Sequence, residues 1–383
     1  MNNKKQIFLD SAATTKLLPC VQDAIKDAMQ YFGNPSSLYS EGQIAYHMLD
    51  NARKDIADVL DCEPEELIFT SCGSESNCQA LFSIFDYAQY HGLGNHIITS
   101  QIEHHSTLSA CDYLARYRGA EITYVGVDEF GWVNPDDVAN AVGINTCLIS
   151  IMDSNNEIGT IQAVNKFKEI ADQHGIFYHA DAVQSFMHRQ LDLENYDLFS
   201  ASGHKIGAPK GIGLLYHRIG TPLLPLIHGT QEDNLRGGTQ NMLGIVGLSE
   251  AVKYHANHMS EANNHILDVS DHMKKRILSE IPDSRFNGHP LIRLVNNLNF
   301  TFPGIRGEEA MILLDMQNIQ VSTGSACNSS SGEPSHVLTA IGLNEDDANS
   351  SIRISLNEDT SLEDADYAVD KLKDVVKILR ERN

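Results

Sequence analysis

Cys327 stands in the stretch VSTGSACNSSSGEPSHVL, residues 321–338, among glycine, serine and other small residues. A structural thiol ordinarily sits among apolar side chains. A thiol in such a segment can serve as a nucleophile once ionised, and a free cysteine has a pKa of about 8.5. The stretch holds no Lys or Arg to lower that value, so activation must come from another part of the fold.

Other residues offer complementary chemistry. SGHKIGAPKG sets Lys205 directly after Ser202, Gly203 and His204. A lysine shielded from water and close to cations loses its proton and attacks carbonyl groups; the plain alternative is an exposed loop lysine. Asp181 lies inside the apolar run IFYHADAV, with His179 before it and Gln184 after it. A carboxylate in such a place needs a cation or several hydrogen bonds; a protonated ring nitrogen, an arginine or a backbone cap would each serve. TSCGSESN pairs Gly73 with Ser74 where a strand passes into a helix. That arrangement suits an anion at the helix start, or an ordinary cap with Ser74 as the capping residue. EHHS supplies His104 and His105, which could hold a metal, pair on the surface, or stack on a flat ring. Adjacent histidines rarely chelate one ion, and no HExxH or matching acidic cluster accompanies them.

These residues must be held by elements. From Leu67 onward, apolar strand-like runs (LIFTS, HIITS, EITYVGV, TCLISIM, IFYHADAV, LFSAS, GIGLLYH) alternate with helical stretches. That order predicts a mostly parallel sheet covered on both faces. In such sheets ligands sit beyond the carboxyl ends of the strands. CGSESN, QIEHHS, DSNNE, the His179–Gln184 cluster and GHK all follow strand ends. A long helical stretch from about Leu243 to Ser279 marks a change. Beyond it NNLNFTF, GEEAMILLDMQ, IQVSTG, SIRISL and a last helix read as a smaller α+β unit.

The 383 residues carry 28 Lys+Arg against 51 Asp+Glu, a net charge of −23, and 42% are hydrophobic. So acidic a chain is not built to grip nucleic acid non-specifically, and its charge reads first as a solubilising surface. No apolar run is long enough to span a bilayer, and MNNKKQIFLDSAATT does not read as a secretory signal. Seven cysteines without a CxxC pair argue against a disulfide framework or structural zinc and fit a reducing cytoplasm.

Ten motifs in order are similar to those of the class V pyridoxal-phosphate-dependent aminotransferases, and most closely the cysteine desulfurases of the NifS/IscS type. They are LDSAATT, FGNPSS, IFTSCGSES, EHH, NNEIGTIQ, HADAVQS, SGHKIGAPKGIG, LRGGTQN, STGSACNSSSGEPSHVL and SSIRISL, and they span almost the whole chain. The likeness departs at Ser11, Tyr39, Thr230, Asn234 and Asn357. It implies an α/β fold of the type I pyridoxal-phosphate transferases: a large domain over 15–255 with a mostly parallel seven-stranded sheet. A smaller α+β domain would combine 1–14 with 256–383 and carry the cysteine loop at about 322–335.

The resemblance also implies roles. Lys205 would carry pyridoxal 5'-phosphate, Asp181 would keep the ring nitrogen protonated, and His104 would stack on the ring and help move protons. Gln184 and Asn156 would bond the phenolic oxygen side. Gly73, Ser74, Ser202, Gly203 and His204 would hold the phosphate, with Thr239 reaching the phosphate of a partner subunit in a homodimer. Arg353 would clamp the substrate carboxylate, with Asn34 and Asn156 close by. Cys327 would take sulfur from L-cysteine as a persulfide, releasing L-alanine, and pass it to a transient acceptor protein for iron–sulfur cluster assembly or tRNA thiolation. No metal, direct nucleic-acid or membrane partner is implied, and the location expected is cytoplasmic. Selenocysteine lyase or another class V activity is the alternative within enzymes, and a degenerate sulfur-carrying paralogue the alternative outside them.

Overall fold

Alternation along the strands decides the architecture, seen in a computed structural model that describes residues 5–323 and 333–382. Seven strands form the main sheet: β2 (Leu67–Thr70), β3 (His96–Ser100), β4 (Glu121–Val125), β5 (Thr146–Ser150), β6 (Phe177–Asp181), β7 (Leu198–Ser202) and β8 (Gly213–His217). Their spatial order is β2-β8-β7-β6-β5-β3-β4. Successive strand residues point to opposite faces. Ile68 and Phe69, Ile97 and Ile98, Leu148 and Ile149, Leu198 and Phe199, and Leu214 and Leu215 divide in this way between two apolar cores. That explains why these strands read as nearly continuous apolar runs rather than as alternating ones.

The pairs β3–β4, β3–β5, β5–β6 and β6–β7 are parallel. β8 is antiparallel to both β2 and β7, so the sheet is mostly and not wholly parallel. Because β2 runs the same way as β7, the carboxyl ends of β2, β3, β5, β6 and β7 share one edge. Several strands stop short of the apolar runs that announced them: β4 ends at Val125 and β6 at Asp181.

One core lies under α2 (Ser40–Leu60) and α6 (Val164–His174), the other under α3 (Gly73–His91) and α4 (His105–Arg118). α1 (Pro19–Ala28) begins on a proline, which suits a first helical position, and α5 (Pro135–Ala141) does the same behind an Asn134 cap. His179 sits within the sheet, not at the site edge. Its ring reaches Ser150 Oγ at 2.9 Å and Ser200 Oγ at 3.0 Å, and burial lowers its pKa to about 3.

α7 (Met242–Glu280) is one continuous helix that serves two cores. Ile245, Leu248, Ala251 and Val252 pack under the main sheet; Ile266, Val269, Met273 and Ile277 pack in a separate apolar cluster. The boundary expected between 255 and 256 therefore falls inside a helix. The second cluster is built on a three-stranded sheet, β9 (Arg285–Asn287), β10 (Asn297–Thr301) and β12 (Ser351–Ser355), ordered β12-β10-β9. α8 (Gly307–Asp315) and α11 (Leu362–Arg382) cover it, and the short α9 (His336–Ala340) and α10 (Glu345–Asn349) precede β12. The amino-terminal β1 (Ile7–Phe8) pairs in parallel with β11 (Ile319–Gln320), and Asp10 bridges to Ser355. Residues far apart in sequence thus meet beside the main sheet's carboxyl edge.

Candidate active site

A cavity of about 420 Å³ lies at that edge. Lys205, Asp181, His104, Gly73, Ser74, Gln184, Ser202, His204, Asn156 and Arg353 all line it. Lys205 ends a short 3-10 turn directly after β7. Its Nζ donates to the carbonyls of Ala12 at 2.6 Å and Ala13 at 2.8 Å. Gln184 Nε2 donates to the same Ala12 carbonyl at 3.1 Å.

Asp181 closes β6 and is 6% exposed. Its Oδ1 accepts from the Val183 N–H at 3.0 Å and its Oδ2 from Asn77 Nδ2 at 2.7 Å. The same Asn77 amide donates to Ser106 Oγ at 2.9 Å, and Ser106 Oγ lies 2.7 Å from His104 Nδ1. Nδ1 also accepts from the Ser106 N–H at 3.1 Å, so His104 caps α4 with the ring that faces the cavity. A neutral His104 therefore carries its proton on Nε2. Asn77 and Ser106 had no role in the sequence reading. The usable signal was spacing: Asn77 is one helical turn beyond Gly73 and shares its face.

Of the two readings of TSCGSESN, the ordinary cap on Ser74 does not hold. Cys72 is the capping position, with no side-chain cap bond, and Ser74 lies in the first turn. Ser74 is thus on the anion-facing end without being used up as a cap. Gly73 is in close quarters: a Cβ there would stand 2.6 Å from Val183 Cγ2. Ser202 Oγ is buried with no hydrogen-bond partner, and so is Asn77 Oδ1. His204 reaches Thr14 Oγ1 at 3.2 Å, and burial followed by Lys205 and Lys210 lowers its pKa to about 4.

Arg353, from β12, is 3% exposed. Its guanidinium donates to the Asn156 carbonyl at 3.1 Å and pairs with Asp10 at 2.7 Å. Glu157 also lines the cavity, and its carboxylate accepts from Ser335 Oγ at 2.5 Å.

Three expected residues lie off the cavity. Gly203 is buried behind it, where a Cβ would stand 2.7 Å from Ile212 Cγ2. Asn34 is exposed and its Oδ1 accepts from the Ser36 N–H at 2.9 Å. Thr239 is exposed, and its neighbours Thr230, Gln231 and Gln240 line a second groove shared with Pro35 and Ser36. Cys327 falls outside the described residues.

Pyridoxal phosphate fits this donor set. Two neutral donors leave the Asp181 carboxylate in want of a cation on its cavity side. An unpartnered buried hydroxyl and a helix start crowded down to glycine face the same space, as a phosphate would require.

Comparison with known proteins agrees. The family model described as aminotransferase class-V matches residues 7–368. A protein named cysteine desulfurase IscS from Methanosarcina thermophila is 44% identical over 380 residues, covering 98% of this chain and 93% of that one. A solved NifS-like protein superposes with a TM-score of 0.90 at 34% identity, over 98% of this chain and all (100%) of its own. The structure of SspA in complex with cysteine gives a TM-score of 0.82 at 36% identity, over 92% and 99% of the two chains. By the family model over residues 7–368 and the 44% identity to a relative across 98% of this sequence, the chain belongs to the class V aminotransferase family.

Proposed function

We propose that the protein is a pyridoxal-phosphate-dependent cysteine desulfurase, converting L-cysteine and the Cys327 thiol into L-alanine and a Cys327 persulfide. The observation that carries this reading is one cavity that gathers Lys205, Asp181, His104 and Arg353 from four separate segments. Relatives bear the desulfurase name, and one related structure holds cysteine.

When bound, pyridoxal phosphate supplies the electron sink that lets bonds to the amino acid's Cα and Cβ break. Asp181 would hold a proton on the ring nitrogen through its charge, and Asn77 fixes the carboxylate in place. Gly73, Ser74, Ser202 and His204 would receive the phosphate at the start of α3. Lys205 would carry the cofactor, and its amine would move the α-proton of the substrate. His104 would lie beside the ring, where its Nε2–H would exchange protons. Arg353 turns its guanidinium to the substrate carboxylate, a bidentate geometry that suits it. The Cys327 thiolate would attack the substrate sulfur; the Cβ–S bond would break with its electron pair passing to Cβ, a proton would complete the alanine methyl there, and the sulfur would stay on Cys327.

Brief exposure to cysteine followed by mass spectrometry tests this directly. A gain of one sulfur at Cys327 with one alanine formed is expected. Cys327→Ser should keep the cofactor's visible absorbance and still bind cysteine, and sustained sulfide release by that variant would sink the assignment.

The working form is a homodimer, with Thr239 completing the partner's phosphate site. Support comes from exposed apolar side chains beside the groove shared by 35–36 and 230–240: Phe32 is 85% exposed and Leu38 92%. A soluble monomer rarely leaves such side chains uncovered together. Sulfur then passes to a transient acceptor protein. Among the described residues no helix is long and apolar enough to cross a membrane, and we assign the protein to the cytoplasm.

A further inference from the structure

The turn that presents Lys205 is held from outside, carbonyl by carbonyl. The His204 carbonyl accepts from the Thr15 N–H at 2.9 Å and from Thr15 Oγ1 at 3.0 Å. The Gly207 carbonyl accepts from the Leu18 N–H at 3.0 Å. Between them stand two carbonyls that are met by imidazoles. His188 Nε2 lies 3.1 Å from the Lys205 carbonyl, and His255 Nε2 lies 3.0 Å from the Ile206 carbonyl. A carbonyl only accepts, so both rings carry their proton on Nε2.

The two rings come from different elements and touch each other, with centroids 6.2 Å apart. His255 sits on α7, near the point where that helix passes from one core to the other. His188 follows β6 through Met187, whose φ of +58° lies in the left-handed region. A buried, unbranched non-glycine residue held there costs on the order of 1–2 kcal/mol and persists only where surrounding contacts demand it. Here α7 supplies such a contact: Asn263 Nδ2 donates to the His188 carbonyl at 2.9 Å. The His188 ring is thereby fixed toward the lysine turn.

Packing holds that turn on one side only, where Ile206 enters the main core. A cavity of about 280 Å³ lies behind it, lined by Met187, His188, Lys205, His255 and Asn263 among others. Where a cavity replaces close-packed neighbours, directional bonds set position. Burial foremost holds His188 to a pKa of about 4, with His255 adding to it and the bond to the Lys205 carbonyl working against it, and burial also lowers His255. Both rings are neutral donors at pH 7, so they add no charge beside the lysine.

We infer that His188 and His255 are positioning residues that clamp the Lys205–Ile206 backbone and so set the aim of the Lys205 amine at the cofactor. This rests on Lys205 being the residue that carries pyridoxal phosphate. Reduction of the wild-type holoenzyme with borohydride and peptide mapping checks that reading by itself: label on another lysine would remove it.

The inference is tested with His188→Leu, His188→Gln, His255→Leu and His255→Gln holoenzymes. Two quantities are measured, the pH titration of the cofactor's visible absorbance and the rate of cofactor loss. Each Leu variant should lose cofactor about fivefold faster, the equivalent of one hydrogen bond, and its absorbance midpoint should move. Each Gln variant, whose amide N–H can replace Nε2–H, should lie closer to wild type in both. Leu variants that match wild type overturn the inference, as do Gln variants no better than Leu. Leu variants too unstable to purify overturn it as well, because a contact that only aims the lysine cannot decide whether the chain folds.

Discussion

At the scale of single residues, Asn77 matters more than its neutrality suggests. Its one amide group ties Asp181 to Ser106 and, through that hydroxyl, to His104. Asn77→Ala removes a bond to a buried carboxylate, a contact worth roughly 1.5–3 kcal/mol. Cofactor affinity should fall about tenfold or more, read by absorbance titration; an unchanged affinity would remove Asn77 from the site. Glu103 gives a pH prediction. Burial first, with Asp181 adding, raises its pKa from the ordinary 4.5 to about 8. The folded chain then keeps a proton that the unfolded chain has lost, so this contribution to stability is complete below pH 4.5 and disappears as pH rises through 8. The melting temperature should decline between about pH 4.5 and pH 8, and Glu103→Gln should flatten that decline. Equal slopes would exclude Glu103 as its source. Lys205, Asp181, His104 and Arg353 were legible in the sequence because each is a charged or titratable type at a strand end or in a recognisable motif. Asn77, Ser106 and the Ala12 and Ala13 carbonyls were not, since neutral amides, hydroxyls and backbone groups acquire a role only through what faces them.

At the scale of elements, two side chains anchor segments around the cavity. Ser335 caps α9, accepting from the Leu338 N–H at 3.2 Å, while its hydroxyl donates to Glu157. Ser335→Ala loses both contacts, and roughly 2 kcal/mol of stability should go with them. A denaturant midpoint equal to that of wild type would show that neither contact is used. Arg236 pairs with Glu75 at 2.8 Å and so ties the 236–241 segment to the start of α3. Burial works against ionised Glu75, yet Arg236 and Ser71 hold its pKa below 4.5. A depressed carboxylate gives stability above its ordinary value that is lost as pH falls through the folded one. Glu75→Gln should therefore differ from wild type less and less on acidification below about pH 4.5, as followed by thermal melting; a constant difference down to acid unfolding would contradict this. The strand pattern was readable, because two-sided burial forces apolar runs. The direction of β8 was not, since its residues look the same from either end.

At the scale of the whole molecule, charge and apolar surface oppose one another. A net charge of −23 on each copy disfavours association, while Phe32 and Leu38 favour it. Salt screens the first and leaves the second. Sedimentation should give twice the mass of one chain, with dissociation weakened by added salt, and Phe32→Asp with Leu38→Asp should yield single chains. A monomer with full activity would overturn the shared-site reading.

The pairing of β1 with β11, and of Asp10 with Ser355, carries a consequence for the order of synthesis. The segment that offers the Ala12 and Ala13 carbonyls to Lys205 is made long before its neighbours at 319–320 and 351–355. At about 5–20 residues per second, the ribosome needs roughly 20 to 70 s to bridge that gap. The early segment must wait, so we expect nascent chains arrested before residue 319 to retain no cofactor. Pyridoxal phosphate retained on such arrested chains would refute that timing.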